Sequence, residues 1–228
     1  MGKRQESRER IERDIIAIGR RHLVTEGAAG LSVRAIAREL GMVSSAVYRY
    51  VTSRDDLLTL LLIDAYNELA DAVDLARQSA ADSWDAQILA SARAARQWAV
   101  DQPACWALLY GSPVPGYHAP GEMTIGPGTR VVGALFGAVA TGIAAGDVVV
   151  SNIEVPQSMS ADFDEVRAEF GFAGDDATVL KCFLLWAALV GAISLEVFGQ
   201  YGADTLTDPA GVFDRQIEML LATLATQN

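Results

Sequence analysis

Hydrophobic side chains recur along this chain with the spacing of an amphipathic α-helix. In residues 9–26 the apolar positions are Ile11, Ile15, Ile18 and Leu23, which fall on one face of a helix with about 3.6 residues per turn. No stretch alternates polar and apolar side chains for long enough to predict a β-strand. The pattern therefore predicts an all-α protein.

Turn and capping residues divide this helical pattern into separate elements. Gly27 is placed to end the first helix. Ser32, Ser44 and Ser53 are each placed to cap the helix that follows, because a serine hydroxyl accepts a hydrogen bond from a first-turn amide. The segment 111–122 carries three prolines and three glycines, so we expect an ordered surface loop there. After the first helix, the predicted helices cover residues 33–40, 45–51, 54–81, 84–100, 103–110, 127–145, 161–170, 176–198 and 209–225.

Residues 31–58, LSVRAIARELGMVSSAVYRYVTSRDDLL, have the pattern of a helix-turn-helix. Two short helices flank a tight turn at Gly41, and the second opens with small residues that allow it to enter the major groove of DNA deeply. The residues expected to pack the two helices together are Ile36, Ala37, Leu40, Val47 and Val51. Those expected to face outward are Ser44, Ser45, Tyr48, Arg49 and Tyr50. A generic helical hairpin is the alternative, but outward tyrosines beside basic residues fit it poorly.

Charge is distributed unevenly along the chain. Residues 1–54 carry eleven Lys and Arg against six Asp and Glu, whereas the remaining residues carry seven against 23. The net charge of -11 therefore conceals a basic head on an acidic body. Clustered Lys and Arg supply most of the sequence-independent affinity for DNA phosphates, although a solvated basic helix face explains the charge alone equally well. We expect two domains, a helix-turn-helix head at residues 1–54 and a larger helical body at residues 55–228.

These motifs closely resemble the tetracycline-repressor (TetR) family of bacterial regulators over about residues 9–60. The resemblance rests on a first helix that ends in glycine, and then on Leu31-Ser32-Val33-Arg34, Ile36-Ala37, Leu40-Gly41, Val47-Tyr48-Arg49-Tyr50 and Ser53-Arg54-Asp55-Asp56-Leu57. It implies a dimer whose recognition helices read a pseudo-palindromic duplex operator. By position, it implies phosphate or base contacts for Ser32, Arg34, Ser44, Ser45, Ala46, Tyr48, Arg49, Tyr50 and Arg54. Val43 is a departure, since the family usually has a polar residue there.

The C-terminal half resembles the regulators of this family that carry a WHG-type ligand domain. The matching segments are Pro103, residues 109–117, Ala119-Pro120, residues 186–191 and residues 194–199. Val190 replaces the histidine that gives the WHG motif its name. The resemblance implies a helical domain that binds a small-molecule effector and mediates dimerisation.

The last two predicted helices are the most apolar, and the family resemblance implies that they form the dimer interface. The residues expected there are Trp186, Ala187, Leu189, Gly191, Phe213, Ile217, Leu220 and Leu221. The alternative is that these helices are the core of a single copy. Both alternatives bury the same side chains, so the residues alone leave the choice open.

Aromatic side chains are frequent in the body, and several lie on segments that enclose a small-molecule pocket in this family. The candidates are Trp84, Trp98, Trp106, Tyr110, Tyr117, Met123, Phe136 and Phe183. Ligand pockets are mostly apolar with a few polar groups, so we expect a small hydrophobic or aromatic effector. For any single residue of this set, a place in the protein core is the alternative.

Catalytic and metal-binding constellations are lacking in the sequence. His22 lies within a helix and His118 in the proline-rich loop, without metal-ligand spacing around either. Cys105 and Cys182 are expected to be buried thiols in a reducing cytoplasm. We therefore expect no enzyme activity, no cofactor and no metal; the alternative is a small-molecule-binding or catalytic helical protein without an operator role.

The expected function is that of a ligand-responsive transcriptional repressor in the bacterial cytoplasm, with an activator role as a variant. The N-terminus is too charged for a signal peptide. The longest uncharged stretches have 16 and 14 residues, below the roughly 18 that suggest a membrane span. We therefore expect no association with a membrane. A DNA-bound structural protein without an effector is a third possibility, but the body is far larger than dimerisation of such a small head requires.

Overall fold

A computed structural model describes residues 3–148, 154–202 and 204–225 of the chain. The prediction of an all-α protein is confirmed: in these ranges the extended pairing is a single bridge between Val148 and Ala225, and helices account for the rest of the regular structure. The helices are α1 (Lys3–Gly30), α2 (Val33–Glu39), α3 (Ser44–Val47), α4 (Arg54–Ser79), α5 (Trp84–Asp101), α6 (Pro103–Tyr110), α7 (Gly121–Ala145), α8 (Gln157–Phe170), α9 (Asp176–Val197) and α10 (Pro209–Ala222).

Helix α1 is interrupted at Gly27, the residue predicted to end the first helix. Gly27 has φ 67° and ψ 174°, a conformation that is not helical. Helical residues resume after it and continue to Gly30, so the first helix ends where it was predicted to end and a short extension follows. This backbone region is almost exclusive to glycine, because a Cβ atom would be strained there.

Replacing Gly27 by alanine is expected to lower the free energy of unfolding by about 1–3 kcal/mol, because the added Cβ strains this conformation even though no atom lies within 4 Å of it. Denaturant unfolding followed by circular dichroism measures the change. Gly137→Ala in α7 is the matched control, since its Cβ also enters open space but on helical backbone, where alanine stabilises by about 1 kcal/mol. Equal effects of the two substitutions would contradict the strain at Gly27.

Helix α3 is shorter than predicted. It covers Ser44–Val47, and the residues that follow form turns rather than a further helical turn. The prediction that Ser44 caps this helix is wrong: Val43 is the N-cap residue, with extended backbone and no side-chain cap hydrogen bond. The turn before α3 needs the left-handed conformation of Gly41, with φ 66°, as the predicted glycine turn requires.

Helix α7 begins at Gly121, six residues before the predicted start at Pro127. The amides of Met123 and Thr124 donate to the Pro120 carbonyl at 3.0 and 3.1 Å, which starts the helix. Pro127 lies inside the helix. Proline has no amide hydrogen, so it was expected to open the helix, but here the preceding turn tolerates the loss of one hydrogen bond. The loop is correspondingly shorter than predicted.

The predicted caps at Ser32 and Ser53 are confirmed. The Ser32 hydroxyl accepts from the Ala35 amide at 3.4 Å, and the Ser53 hydroxyl accepts from the Asp56 amide at 3.0 Å. Asp56 adds a second link at this helix start, since its carboxylate accepts from both the amide and the hydroxyl of Thr52, the residue before the cap. These hydrogen bonds, first of all the one from the Thr52 hydroxyl, lower the pKa of the Asp56 carboxyl below its ordinary value.

Replacing Asp56 by alanine is expected to destabilise the protein by about 1 kcal/mol at neutral pH, and by less at low pH. Because the folded-state pKa of Asp56 is lowered, its contribution is complete above the ordinary carboxyl pKa of 3.8 and disappears as the pH falls through the lower folded-state value. Unfolding curves of both proteins between pH 7 and pH 2 measure this. Asp55→Ala removes a charge from the same turn without losing a cap, so a pH dependence equal to that of Asp56→Ala would contradict the capping role.

The fold forms two compact units. The first comprises Met1–Glu68 and Gln102–Gly128, and the second comprises Leu69–Asp101 and Thr129–Asn228. This division differs from the predicted boundary at residue 54. The first part of α4 belongs to the first unit, and so does α6, which packs against α1.

The core of the first unit lies among α1, α2, α3, the start of α4 and α6. Its fully buried side chains include Ile15, Ile36, Val47 and Leu57, each at most 1% exposed. Part-buried side chains of α6 and of the following loop pack against this cluster: Ala104, Leu108, Val114 and Tyr117. The helix-turn-helix therefore rests on an apolar core that includes residues distant in the sequence.

In the second unit α9 packs against α5, α8 and α10. Leu185, Leu189 and Ile193 of α9 are buried there. Helices α7 and α9 are long and apolar enough to cross a membrane by length and composition alone, contrary to the expectation from uncharged stretches. One third of each apolar window is buried within the chain, including Phe136 of α7 and Leu189 of α9.

Candidate functional site

The helix-turn-helix geometry follows from the packing of α2 on α3. Ile36 and Ala37 of α2 are buried, as are Val47 of α3 and Val51, and Leu40 is part-buried against the same cluster. These are the five residues predicted to hold the two helices together, and that prediction is confirmed. Polar side chains of the two helices are thereby left on the surface.

The structure places the predicted DNA-contacting residues on two levels of exposure. Those with exposed side chains are Arg34, Ser45, Tyr48 and Arg49. Those that are part-buried are Ser32, Ser44, Ala46, Tyr50 and Arg54. The exposed group joins one residue of α2 to the outer side of α3 and its following turn. This surface, Arg34 with Ser45, Tyr48 and Arg49, is called the recognition face below.

The Arg54 guanidinium is committed to the protein itself. Its Nη2 donates to the carbonyl of Ala28 at 2.8 Å and to that of Ala29 at 3.2 Å, at the end of α1. The side chain thus ties the start of α4 to the end of α1 through one of its nitrogens, and the contact of Arg54 with DNA stays a prediction. An arginine gives the same sequence pattern whether its guanidinium binds a phosphate or backbone carbonyls. The sequence therefore could not predict these two hydrogen bonds.

Tyr50 is in contact with a residue that the sequence interpretation missed. The Arg8 guanidinium lies 5.8 Å from the centre of the Tyr50 ring, and its Nε donates to Glu12 at 2.8 Å. Such a cation–π contact holds the start of α1 beside residues 43–50, which comprise α3 with its N-cap residue and following turn and are called the recognition segment below. The sequence does show a run of basic residues in α1. It does not show which of these side chains points towards the segment that contains Tyr50.

Other basic groups of α1 are also paired within the unit. Arg20 contacts Asp64 and Glu68 of α4, and Arg21 and His22 both contact Glu39 of α2. His22 is therefore a packing residue between helices, as interpreted, with Nε2 2.9 Å from the Glu39 carboxylate. The positive charge that remains unpaired on the recognition face includes Arg34 and Arg49, whose side chains have no hydrogen bond or ion pair in the described structure.

Two family models match this chain. Residues 15–61 match the model of bacterial regulatory proteins of the tetR family, and residues 88–220 match the tetracyclin repressor-like C-terminal domain. The chain belongs to the TetR family. This family consists of DNA-binding transcriptional regulators rather than enzymes, and the helix-turn-helix described above is its DNA-binding element. The match to the N-terminal model includes the whole recognition face.

Relatives with the same domain organisation support the assignment to this family. The HTH-type transcriptional regulator Rv1816 of Mycobacterium tuberculosis is 66% identical over 226 residues, which cover 99% of this chain and 97% of the relative. The regulator Mb1846 of Mycobacterium bovis matches to the same extent. Among solved structures, SCO4313, a protein assigned a regulatory role, is 30% identical with a TM-score of 0.78 and covers 97% of this chain and 100% of its own. TetR regulators of this kind bind DNA operators, dimerise and bind small-molecule effectors.

The candidate ligand-binding residues fall into both units. Trp106, Tyr110, Tyr117 and Met123 belong to the first unit, and Trp84, Trp98, Phe136 and Phe183 to the second. In the first unit the ring centres of Trp106 and Tyr110 are 4.4 Å apart, and the ring of Tyr66 meets Tyr110 edge-on at 6.4 Å. Burial raises the pKa of both tyrosines, so their hydroxyls stay neutral. The sequence did not identify Tyr66 as a candidate ligand-binding residue, because the position of a tyrosine in an amphipathic helix does not show which side chain it contacts.

The loop before α7 is attached to α4 by a hydroxyl pair. The Tyr117 hydroxyl lies 2.9 Å from that of Thr59, and Thr59 also donates to the Asp55 carbonyl. Thr59 is buried and was not predicted. Met123 is 50% exposed and His118 is exposed, so neither lies in the aromatic interior of this unit.

Five phenylalanines form a cluster in the second unit. The Phe136 ring stacks on Phe170 at 5.0 Å and meets Phe172 and Phe183 edge-on at 4.9 and 6.3 Å, and Phe183 reaches Phe163 at 5.8 Å. Trp84 and Trp98 are buried elsewhere in the same unit. The Trp98 indole Nε1 is buried without a hydrogen-bond partner.

The predicted dimer residues are divided between core and surface. Leu189, Phe213, Ile217 and Leu221 are buried within the second unit of a single copy, and of these Ile217 also lines the groove between α9 and α10. Trp186, Ala187, Gly191 and Leu220 retain exposed surface. An apolar groove of about 540 Å³ lies between α9 and α10, lined by Ala188, Gly191, Ala192, Leu195, Tyr201, Gln216, Ile217, Met219, Leu220 and Thr223. Leu195 and Met219 were missed, because helical periodicity does not distinguish the two apolar faces of α9 and α10.

Both cysteines are buried free thiols, as predicted. Burial raises the pKa of Cys182 to about 12 and also raises that of Cys105, so both are protonated near neutral pH. Among the described residues, no group of three or more histidine, cysteine or carboxylate side chains is arranged to hold a metal ion.

Proposed function

We propose that this chain is a dimeric repressor that binds a pseudo-palindromic operator and is released from it by a small hydrophobic or aromatic effector. The observation that carries the proposal is the recognition face: an exposed, unpaired Arg49 beside exposed Ser45 and Tyr48, on the helix-turn-helix of a TetR regulator. Repression is the usual mode of action in this family, and the proposal adopts it. The site of action is the bacterial cytoplasm, where the operator DNA lies.

The recognition face supplies both kinds of contact that operator binding needs. Arg49 can donate to a guanine edge or a phosphate, and the Tyr48 and Ser45 hydroxyls can donate to phosphates or bases. Arg34 adds positive charge from α2. The acidic body, with 23 acidic against seven basic residues after residue 54, favours contact with DNA through the head alone.

Dimerisation is supported by the groove between α9 and α10. Its lining is almost entirely apolar, and Leu195 and Met219 are 43% and 73% exposed in a single copy. Small residues, Ala188 and Gly191, allow the backbone of a second copy to approach closely. Paired recognition helices must lie about 34–36 Å apart to read successive major grooves, so a dimer also explains a palindromic site.

The proposed effector is apolar, with at least one hydrogen-bond acceptor. Aromatic side chains cluster in both units, around Trp106 in the first and around Phe136 in the second, and the buried Trp98 N–H has no hydrogen-bond partner among the described residues. Buried donors are usually satisfied, so an acceptor on the effector accounts for this one. The same fold occurs in FadR of Bacillus subtilis, whose structure holds stearoyl-CoA; it is 12% identical, has a TM-score of 0.64, and covers 92% of this chain and 98% of its own.

Release requires only a difference in the affinity of the effector for two conformations of the protein. The effector must bind more tightly to the conformation that does not fit DNA than to the one that does. Helix α4 contributes residues to both units without interruption and is the natural element to couple them.

The proposal is tested by selecting random duplex DNA on the purified protein. The expected result is enrichment of a pseudo-palindrome, bound by two copies of the chain with an affinity that falls steeply with salt. That operator is then used to find apolar compounds that release it. Failure of the folded dimer to enrich any sequence would overturn the operator role, and turnover of a released compound would favour the catalytic alternative.

A further inference from the structure

Val43 is an apolar side chain on the surface where the recognition segment begins. It is 71% exposed, although valine is among the residues most often buried. It directly precedes α3 and is the N-cap residue of that helix. Met42 is part-buried against the core and Val47 is fully buried, whereas Val43 is left on the surface.

Valine is a poor choice for this position on structural grounds. N-cap positions favour Ser, Thr, Asp and Asn, whose side chains accept from first-turn amides, and Val43 provides no such hydrogen bond. Two caps in the same head follow the rule, with hydroxyl acceptors at Ser32 and Ser53, whereas Gln102 before α6, like Val43, provides no side-chain hydrogen bond. The Val43 side chain thus provides neither a cap hydrogen bond nor buried apolar surface, which leaves it available to a partner.

The backbone fixes the direction of this side chain. Val43 has φ −67° and ψ 140°, and its carbonyl accepts from the Ala46 amide at 2.9 Å. A β-branched side chain has few rotamers, so little conformational freedom is lost when it meets a partner. Val43 also lies two residues from Ser45 and five from Tyr48, both on the recognition face. Its partner is thus expected in the same groove.

We propose that Val43 reads the C5-methyl group of a thymine in each half-site of the operator. Among the four bases, thymine alone presents a methyl group in the major groove, and apolar side chains recognise it by direct contact. The inference rests on the proposed operator function, which it makes specific for one base. The proposed contact is made by the Val43 side chain, and the backbone amides of α3 take no part in it.

The test replaces thymines of the selected operator, one symmetric pair at a time, by deoxyuridine, which lacks only the methyl group. One buried methyl group corresponds to about fourfold in affinity, so a pair in the two half-sites corresponds to about fifteenfold. We expect one pair to weaken binding of the native protein by this factor. The Val43→Ser variant is expected to bind the thymine and deoxyuridine forms of that pair equally.

Serine keeps this variant folded, since it is a favoured N-cap residue and the thermal midpoint is expected to stay equal or rise. Val24→Ser is the matched control, because Val24 is 73% exposed on α1 and lies outside the recognition segment; it should keep the full deoxyuridine effect. Absence of any deoxyuridine effect on the native protein, an equal effect in Val43→Ser, or an operator without thymine in its half-sites would overturn the inference. Failure to select an operator at all would instead refute the proposed function.

Discussion

Replacing Phe136 by alanine is expected to lower the free energy of unfolding by about 3–5 kcal/mol. Phe136 is 1% exposed, and its ring meets three other phenylalanine rings in the second unit. The substitution therefore removes a buried ring, its edge and face contacts, and leaves a cavity that the surrounding helices fill only in part. Since typical stabilities are about 5–15 kcal/mol, this is a large share of the total. Urea unfolding followed by circular dichroism measures it.

Phe198→Ala is the control for this prediction, because Phe198 is 41% exposed and ends α9 away from the phenylalanine cluster. Its effect in a single copy is expected to be about 1 kcal/mol or less. If Phe136→Ala costs no more than Phe198→Ala, the cluster is not the tightly packed core that its geometry indicates. A compound that binds the cavity of Phe136→Ala and restores the thermal midpoint would further show that this interior accepts apolar ligands.

Replacing Arg49 by alanine is expected to weaken operator binding roughly 30-fold to 10⁴-fold, since a lost base contact costs about 1–3 kcal/mol in each half-site of a dimer. The Arg49 side chain is exposed and has no hydrogen bond or ion pair among the described residues, so its removal is expected to leave the fold unchanged. Fluorescence anisotropy with the selected operator at several salt concentrations measures the change. A uniform loss on all sequences with a shallower salt dependence would assign Arg49 to phosphate instead of a base.

Arg215→Ala is the matched control. Arg215 is an exposed arginine of α10, 80% accessible at its side chain and paired with Glu218, so the charge change is the same in a residue outside the head. It is expected to alter operator affinity less than twofold. A comparable loss in the two variants would indicate that net charge, and not the recognition face, governs binding.

The helix-turn-helix shows how much local sequence can predict. Its apolar positions have one consistent helical period, so the sequence predicts the packing residues Ile36, Ala37, Leu40, Val47 and Val51, and the structure confirms them. The family was equally accessible, because the motif combines residue types in a fixed order and spacing. By contrast, the sequence did not predict where α3 ends. A short helix followed by turns has the same spacing of apolar residues as a longer helix, so periodicity does not distinguish the two.

Arg54 and Leu189 show where local sequence was insufficient. Whether an arginine meets a phosphate or a backbone carbonyl depends on what lies opposite it, and for Arg54 this is the end of α1, about 25 residues earlier in the chain. Whether an apolar residue of α9 or α10 faces the protomer core or a second copy depends on how these helices are rotated against α5 and α8. Leu189 faces the core, while Leu195 and Met219 are left exposed.

Helical structure, the basic head and membership of the TetR family follow from the order of residues alone, because each depends on interactions between residues close in sequence or on composition. The partners of the basic side chains, the phenylalanine cluster and the exposed groove between α9 and α10 depend on the packing of distant segments. Hydrophobic burial is non-directional, so the same apolar residues permit several helix rotations, and tertiary packing selects one of them.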